Sequence, residues 1–401
     1  MRHEVNPAAK EKISIACYLT CIYFILMLVS VVPIAENFSL LKLASIGIGG
    51  LLIITLFIGR SRICLNGMHF WLTAYMLVMC ASLLISSSES AVEVVIGYIQ
   101  NYAMIMLISM RVYCQREKRL IEWTWLLIGL IAVIMGITSS TTLSEENSRM
   151  QILIFGAPED PNQFCGYFLF PVLYALERIM ERTTRGKWLY VLYLLLIMYV
   201  VFKTGSRGGL LAIVIPGVLY ALFAVKGLNH KIKVCAAVLL VAILSMAVIF
   251  PLLPEDIQER YSVQQVQEDR GSGRFEIWST LLMKVFESNQ AIVTGYGINA
   301  TADILQKAGF FNTYAHNQWI QAFCDQGLIG VAVLFMLFFV GMRRTCRTNT
   351  VVCCALIGML ALSMSLSIYL FKPFLNVLLM SAMTFEGDQT LIEGGSVKRH
   401  G

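Results

Sequence analysis

The sequence has few charged residues. Only 14% of its 401 residues are Asp, Glu, Lys or Arg, whereas 57% are hydrophobic, and the mean hydropathy is +0.71. Soluble globular domains carry about 25% charged residues, so this composition excludes the water-soluble classes. Apolar stretches of about 20 residues, which is the length that crosses a bilayer, recur along the chain. We therefore predict a polytopic membrane protein that forms a single integral membrane domain over residues 1–401.

The sequence also lacks the cysteine spacings of metal sites. It contains 11 cysteines but no Cys-X-X-Cys pair, and most of them lie in apolar segments or basic loops, which argues against disulfides. The net charge of +6 would suggest nucleic acid in a soluble protein, but here it follows from basic loops between apolar segments. The expectation is therefore no metal, no cofactor and no nucleic acid.

Hydropathy predicts an all-α fold with about twelve transmembrane helices. Their approximate ranges are 13–32, 39–58, 69–86, 94–110, 121–137, 164–180, 188–203, 208–225, 234–252, 318–340, 350–369 and 373–385.

The 31 Lys and Arg residues are concentrated in alternate loops, and positively charged loops stay cytoplasmic. This places both termini in the cytoplasm and the protein in the cell inner (cytoplasmic) membrane. Residues 253–317 then form one large extracytoplasmic loop, with an amphipathic helix near 274–287. An apolar stripe from Phe275 to Phe286 would lie flat on the outer leaflet of the bilayer.

Two arginines stand at predicted helix starts on the outer face. Ser206 and Arg207 begin the eighth span, where free N–H groups beside a guanidinium make an anion site, although Arg207 could also extend to the lipid headgroups. Arg274 lies in the first turn of the amphipathic helix, where a positive charge opposes the helix dipole unless an anion is bound. A lipid phosphate is the simpler partner for Arg274.

Two further outer-face motifs carry polar side chains. The first is Asp160-Pro161-Asn162, which could equally be an ordinary helix cap. The second is Tyr314-Ala-His316-Asn-Gln, which closes the large loop and begins the tenth span. A neutral imidazole can accept a proton from a hydroxyl group, so His316 is a candidate general base.

These motifs belong to one ordered set, which also includes two glycine motifs and the stretch 326–330. The full set is Asp160-Pro161-Asn162, Ser206-Arg207-Gly208, Gly273-Arg274 with Trp278, Gly295-Tyr296-Gly297, His316-Asn317 and residues 326–330. Taken in this order, the motifs resemble the O-antigen ligase and O-antigen polymerase family over roughly residues 160–340. Asp325 stands where members of that family often carry an acidic residue.

The resemblance implies a GT-C-like bundle that transfers glycan without a metal and with inversion at the anomeric carbon. The donor would be a polyprenyl (undecaprenyl) diphosphate-linked glycan, and the acceptor a glycan or lipid-glycan hydroxyl. Arg207 and Arg274 would hold the diphosphate, and His316 would act on the acceptor. A flippase and a chain-length regulator are possible partners. Candidate substrate-binding residues are Asn162, Ser206, Trp278, Tyr296, Tyr314, Asn317 and Gln318.

Three functions remain open. The protein could polymerise a surface polysaccharide such as O-antigen, capsule or exopolysaccharide, or it could be a ligase that transfers finished glycan to a lipid core or a protein. A polysaccharide flippase or transporter is the alternative from another class. Transporters usually carry midplane charges and internal repeats. Here the predicted spans contain little charge besides Asp325, and no repeat is obvious.

Overall fold

Helices form almost all of the structure, a computed structural model that describes residues 12–28, 30, 33–35, 38–58, 63–139, 142–143, 150–154, 157–181, 183–224, 227–262, 273–311 and 313–388. Both chain ends and the stretch 263–272 of the large loop lie outside the described residues. The prediction that the termini are cytoplasmic therefore concerns residues outside the described ranges.

Seventeen α-helices lie within the described ranges, counted in chain order. They are α1 Ile15–Leu28, α2 Leu40–Ile58, α3 Gly67–Leu83, α4 Ala91–Ser109, α5 Gln115–Thr138, α6 Pro161–Gly166, α7 Leu169–Met180, α8 Lys187–Lys203, α9 Arg207–Leu219, α10 Leu228–Leu244, α11 Glu255–Arg260, α12 Arg274–Phe286, α13 Asn289–Thr294, α14 Ala300–Lys307, α15 Gln318–Thr348, α16 Thr350–Ser363 and α17 Lys372–Ala382.

The strands are short and lie between the helices. Strands β1 and β2 form an antiparallel pair, and β4, β5 and β6 form a three-stranded antiparallel sheet. Strands β3 and β7 pair with each other in parallel. Their bounds are β1 Pro33–Ala35, β2 Phe38–Ser39, β3 Val112–Tyr113, β4 Thr142–Leu143, β5 Met150–Ile154, β6 Ala157–Glu159 and β7 Thr384–Phe385.

Several helices have the length and composition that cross a bilayer. Among the described residues, five reach this standard: α2, α4, α5, α15 and the stretch Lys231–Leu252. Four more are apolar but shorter, at Ile15–Leu28, Gly67–Leu83, Arg207–Phe223 and Thr350–Ser363. All of these helices except Thr350–Ser363 expose large apolar side chains, as lipid contact requires. The predicted all-α polytopic class is confirmed, and the number of twelve spans stays a prediction.

The last predicted span differs from the structure. α16 ends at Ser363, and α17, with 11 residues, is about 17 Å long at 1.5 Å per residue, which is too short for a bilayer core. All residues of α17 after Lys372 are buried. Hydropathy cannot distinguish such a helix from a span, because packing against protein and immersion in lipid require the same apolar side chains. α17 packs against α4, α15 and α16.

The helix α15 is broken at Gly327, where the backbone leaves the helical region with φ 64° and ψ −161°. The break frees the carbonyl oxygens of Cys324 and Asp325, which accept hydrogen bonds from the N–H groups of Tyr296 and Gly297, both at 2.9 Å. A Cβ atom at Gly327 would lie 2.4 Å from the backbone of Val293. The large loop is thus attached by its backbone to the interior of a membrane helix.

The Asp325 carboxylate makes a second attachment at the same point. Its Oδ1 accepts hydrogen bonds from the backbone N–H of Thr301 at 2.9 Å and from the Thr301 hydroxyl at 2.7 Å. These bonds satisfy donors in the first turn of α14, which belongs to the large loop. The acidic residue within this membrane helix therefore has a structural role in the fold.

A Gly327→Ala substitution should destabilise the protein. The positive φ alone costs about 1–3 kcal/mol for a residue with a side chain, and the new methyl group would also displace the backbone of Val293. We expect a lower thermal unfolding midpoint in detergent. Gly50→Ala in α2 is the matched control, because nothing lies within 4 Å of a Cβ there. Equal midpoints for the two variants would show that the break does not need glycine.

Candidate functional site

Ser206 joins two helices at one end of the bundle. As the N-cap of α9, its hydroxyl oxygen accepts a hydrogen bond from the N–H of Gly209 at 2.9 Å. The same hydroxyl donates to the side-chain oxygen of Asn162 in α6 at 2.5 Å. The two buried polar side chains satisfy each other, and α6 is thereby fixed beside the start of α9, where Arg207 is half-buried.

Asp160 caps the helix that carries Asn162. Its Oδ1 accepts hydrogen bonds from the N–H groups of Asn162 and Gln163, at 2.8 and 3.0 Å, and Pro161 occupies the first helical position. The capping role considered for Asp160 is thus present in the structure. Its carboxylate also lines a cavity described below, so capping does not remove it from the solvent-accessible surface of the site.

His316 lies in a strained turn immediately before α15. Its φ is 49°, a region that residues with side chains rarely occupy. The next residue, Asn317, caps the helix, since its side-chain oxygen accepts hydrogen bonds from the N–H groups of Trp319 and Ile320. Such strain is maintained only where surrounding contacts hold it, which marks the turn as a candidate functional element.

The segment that runs from the last residue of α16 to the start of α17, residues 363–371, connects the Arg207 and His316 ends of the site. A Cβ atom at Gly208 would lie 2.7 Å from the Ser365 hydroxyl oxygen, so this segment lies against the start of α9. On its other side, the side-chain oxygen of Gln318 accepts hydrogen bonds from the N–H groups of Ile368 and Tyr369, at 2.7 and 2.9 Å. Arg207 and His316 therefore flank one segment.

Sequence reasoning missed this segment because its hydropathy made it part of a span. Its signal is the alternation of Ser363, Ser365 and Ser367, which is unusual in a lipid-facing helix. Ser363 accepts a hydrogen bond from the Trp319 indole N–H at 2.9 Å, and Ser367 donates to the side-chain oxygen of Gln321. Ser363 and Ser367 thus contact side chains in the first turns of α15.

A cavity of about 430 Å³ opens where these elements meet. The lining mixes polar and apolar residues. They come from the start of α6, from the turn before α15 and from residues 363–371. The lining residues are Asp160, Gln163, Tyr314, His316, Leu366, Ser367, Tyr369, Leu370 and Phe371. Of the predicted site residues, His316 and Tyr314 face this cavity directly.

Trp278 ties the helix that begins at Arg274 to the histidine turn. Its indole N–H donates to the carbonyl oxygen of Ala315 at 2.8 Å, one residue before His316. Arg274 lies four residues earlier on α12 and therefore on the same helix face. The large loop brings its arginine to the side of the molecule that carries the histidine.

The other predicted binding residues have mainly structural contacts. The Tyr296 hydroxyl donates to the carbonyl oxygen of Lys284 at 2.7 Å, within the large loop. Asn317 and Gln318 are buried and hold the helix start and the segment 363–371, as described above. On α12, Ile277, Leu281 and Val285 pack on protein, whereas Phe275 and Phe286 stay exposed, so contact of the stripe with the outer leaflet stays a prediction. Substrate contacts for these residues stay predictions.

A buried carboxyl group lies beside the cavity at Glu159, next to Asp160 in sequence. Burial and the negative charge of Asp160 raise the pKa of Glu159 from 4.5 to about 7, while a backbone hydrogen bond at Asp160 and the positive charge of Lys372 partly oppose this increase. Burial and the positive charge of Lys42 together lower the pKa of Lys372 from 10.5 to about 8, and the negative charge of Glu159 partly offsets this decrease. The cavity margin therefore changes its charge near neutral pH.

Comparison with known proteins gives one family. Residues 192–335 match the family described as O-Antigen ligase, which confirms the resemblance over that part of the chain. A search of curated proteins gave no match. A similar solved structure is described as "Structural coordination of polymerization and crosslinking by a peptidoglycan synthase complex", with 14% identity, 79% of this chain and 98% of that chain covered, and a TM-score of 0.41.

Ser206→Ala and Asn162→Ala should be non-additive. Either change leaves the other buried polar group without its partner, so the double variant should lose less stability than the sum of the two single variants. The expected coupling is about 1 kcal/mol, read from unfolding of the four proteins of a double-mutant cycle. Strict additivity would show that this hydrogen bond does not stabilise the contact between α6 and α9.

Glu159→Gln should flatten the pH dependence of stability. Because the folded-state pKa is raised, the contribution of Glu159 is present below pH 4.5 and is lost as the pH rises to about 7. We expect the unfolding midpoint of the variant to fall less across this range than that of the unmodified protein. The exposed Glu276→Gln is the control. Parallel pH profiles for all three proteins would contradict the assignment.

Proposed function

We propose that the chain is a membrane glycosyltransferase that moves or polymerises glycan from a polyprenyl diphosphate-linked donor onto a glycan hydroxyl, at the extracytoplasmic face. The observation that carries the proposal is the segment 363–371, which is flanked by the Arg207 helix start and the His316 turn. The family match over residues 192–335 supports glycan transfer as the type of reaction.

The acceptor is proposed to enter the cavity beside His316. Tyr314 is half-exposed there, and an aromatic face packs well against the apolar face of a sugar ring. Gln163 and Ser367 add hydrogen-bonding groups for sugar hydroxyls. A cavity with both kinds of lining suits a glycan better than it suits an ion or an apolar molecule.

The proposed reaction is a single displacement. The acceptor hydroxyl oxygen attacks the anomeric carbon of the donor sugar while its proton passes to the imidazole of His316. The bond between the anomeric carbon and the diphosphate oxygen breaks, and the electron pair leaves with the lipid diphosphate. Arg207 and Arg274 stabilise the charge that develops on that oxygen. Attack opposite the leaving group inverts the anomeric configuration.

Polymerase and ligase activities are distinguished by the glycan that accumulates. In cells without a polymerase, the lipid-linked glycan should remain at the length of one repeat. In cells without a ligase, long finished chains should accumulate on the lipid carrier. A gel of lipid-linked and surface glycan from a deletion strain separates these outcomes, and we favour the polymerase because no feature points to a protein acceptor.

Arg207→Ala, Arg274→Ala and His316→Ala should each abolish glycan transfer, with a loss of at least about a hundredfold. The reason is that each change removes a charge or a base that acts on the reacting groups as the bond breaks. The measurement is glycan product formed by purified protein from lipid-linked donor. Lys284→Ala is the control, because this lysine lies in the same loop and pairs with Glu287 on the surface.

Each variant should still insert normally into the membrane, so that the loss of glycan transfer is not caused by misfolding. Near-normal product from any two of the three variants would end the proposed mechanism. Movement of a labelled lipid-linked glycan across liposomes that persists in His316→Ala would instead favour a transporter, since transport does not need a base at the acceptor.

A further inference from the structure

The short helix α11, at the start of the large loop, is attached firmly to the end of α8. Ile257 is buried in an apolar cluster with Phe202, Ile249 and Leu253. Phe202, Phe250 and Tyr261 pack as three mutually tilted rings, with centroid separations of 5.7 to 6.0 Å. This packing determines where the last residue of the helix, Arg260, lies.

Arg260 extends over the turn that precedes Arg207. Its Nε donates to the carbonyl oxygen of Gly205 at 3.4 Å, and its Cδ and Nε lie 3.2 Å from the position of a Cβ atom at that glycine. The backbone of Gly205 has a φ of 65° and leads through Ser206 into the first turn of α9. A guanidinium from the large loop thus lies two residues from the arginine of α9.

Tyr261 gives an independent sign that the two arginines share one region. Burial raises the pKa of its phenol, whereas the positive charges of Arg260 and Arg207 both lower it. Both cations therefore act on the same side chain. Two positive charges in one region favour the binding of a multiply charged anion.

We propose that Arg260 is a third cation of the donor site and binds the diphosphate of the lipid-linked glycan together with Arg207. This inference rests on the proposed function. A diphosphate carries more than one negative charge, and an arginine fork can bind two of its oxygens at once. The ligand would thereby join the loop to the membrane bundle at Gly205, a contact that hydropathy could not reveal.

The test measures donor binding separately from chemistry. For purified full-length protein in nanodiscs, Arg260→Ala should raise the KM for lipid-linked donor about tenfold or more, with a smaller change in kcat. Inorganic pyrophosphate should inhibit the unmodified protein, and its inhibition constant should rise by a similar factor in the variant. Arg260→Lys should recover part of both changes, because it restores the charge but not the fork.

A purely structural role for Arg260 predicts a different pattern. Tyr261→Phe is the matched control for packing at this point. It removes the weak hydrogen bond from the phenol to the carbonyl oxygen of Phe202 and leaves Arg260 in place. If Arg260→Ala lowers the unfolding midpoint but leaves the donor KM and the pyrophosphate inhibition unchanged, the inference is overturned.

Arg207→Ala separates this inference from the proposed function. Loss of transfer in Arg207→Ala together with normal donor kinetics in Arg260→Ala would refute only the role of Arg260. Normal transfer in both variants would refute the diphosphate site as a whole. An increase in donor KM in Arg260→Ala, with Lys284→Ala unchanged, supports the inference.

Discussion

The broken helix α15 is the constraint on which the rest of the structure depends. At Gly327 the helix stops using its own hydrogen-bond pattern, and the freed carbonyl oxygens bind the backbone of residues 296–297. Asp325 adds a charged acceptor for the first turn of α14. In a bilayer, a backbone group left without a partner costs several kcal/mol, so this break requires the large loop to dock.

The candidate base lies directly before the same helix. His316 precedes α15 in a strained turn that Asn317 and Trp278 hold from two sides. Docking of the large loop and placement of the His316 imidazole therefore depend on each other. A change that loosens the break at Gly327 should disturb the turn, because only about three helical turns of chain separate them.

The other side of the site is held by buried polar pairs as well as by apolar packing. Ser206 satisfies Asn162, and Gln318 satisfies two backbone donors of the segment 363–371. Polar contacts of this kind require a defined geometry, since an unmatched group inside the membrane is costly. They fix α6 beside the start of α9, and the segment 363–371 beside the start of α15, with more precision than interchangeable apolar side chains would.

Local properties of the sequence were sufficient to predict part of the fold. Apolarity determined the membrane class, and capping side chains at Asp160 and Ser206 marked helix starts, because both signals depend on neighbouring residues alone. Tertiary structure decided that α17 is a short buried helix, that Asp325 caps a helix of the loop, and that Arg260 lies over Gly205. These outcomes depend on contacts between residues distant in the chain, and hydropathy does not encode which partner a buried group meets.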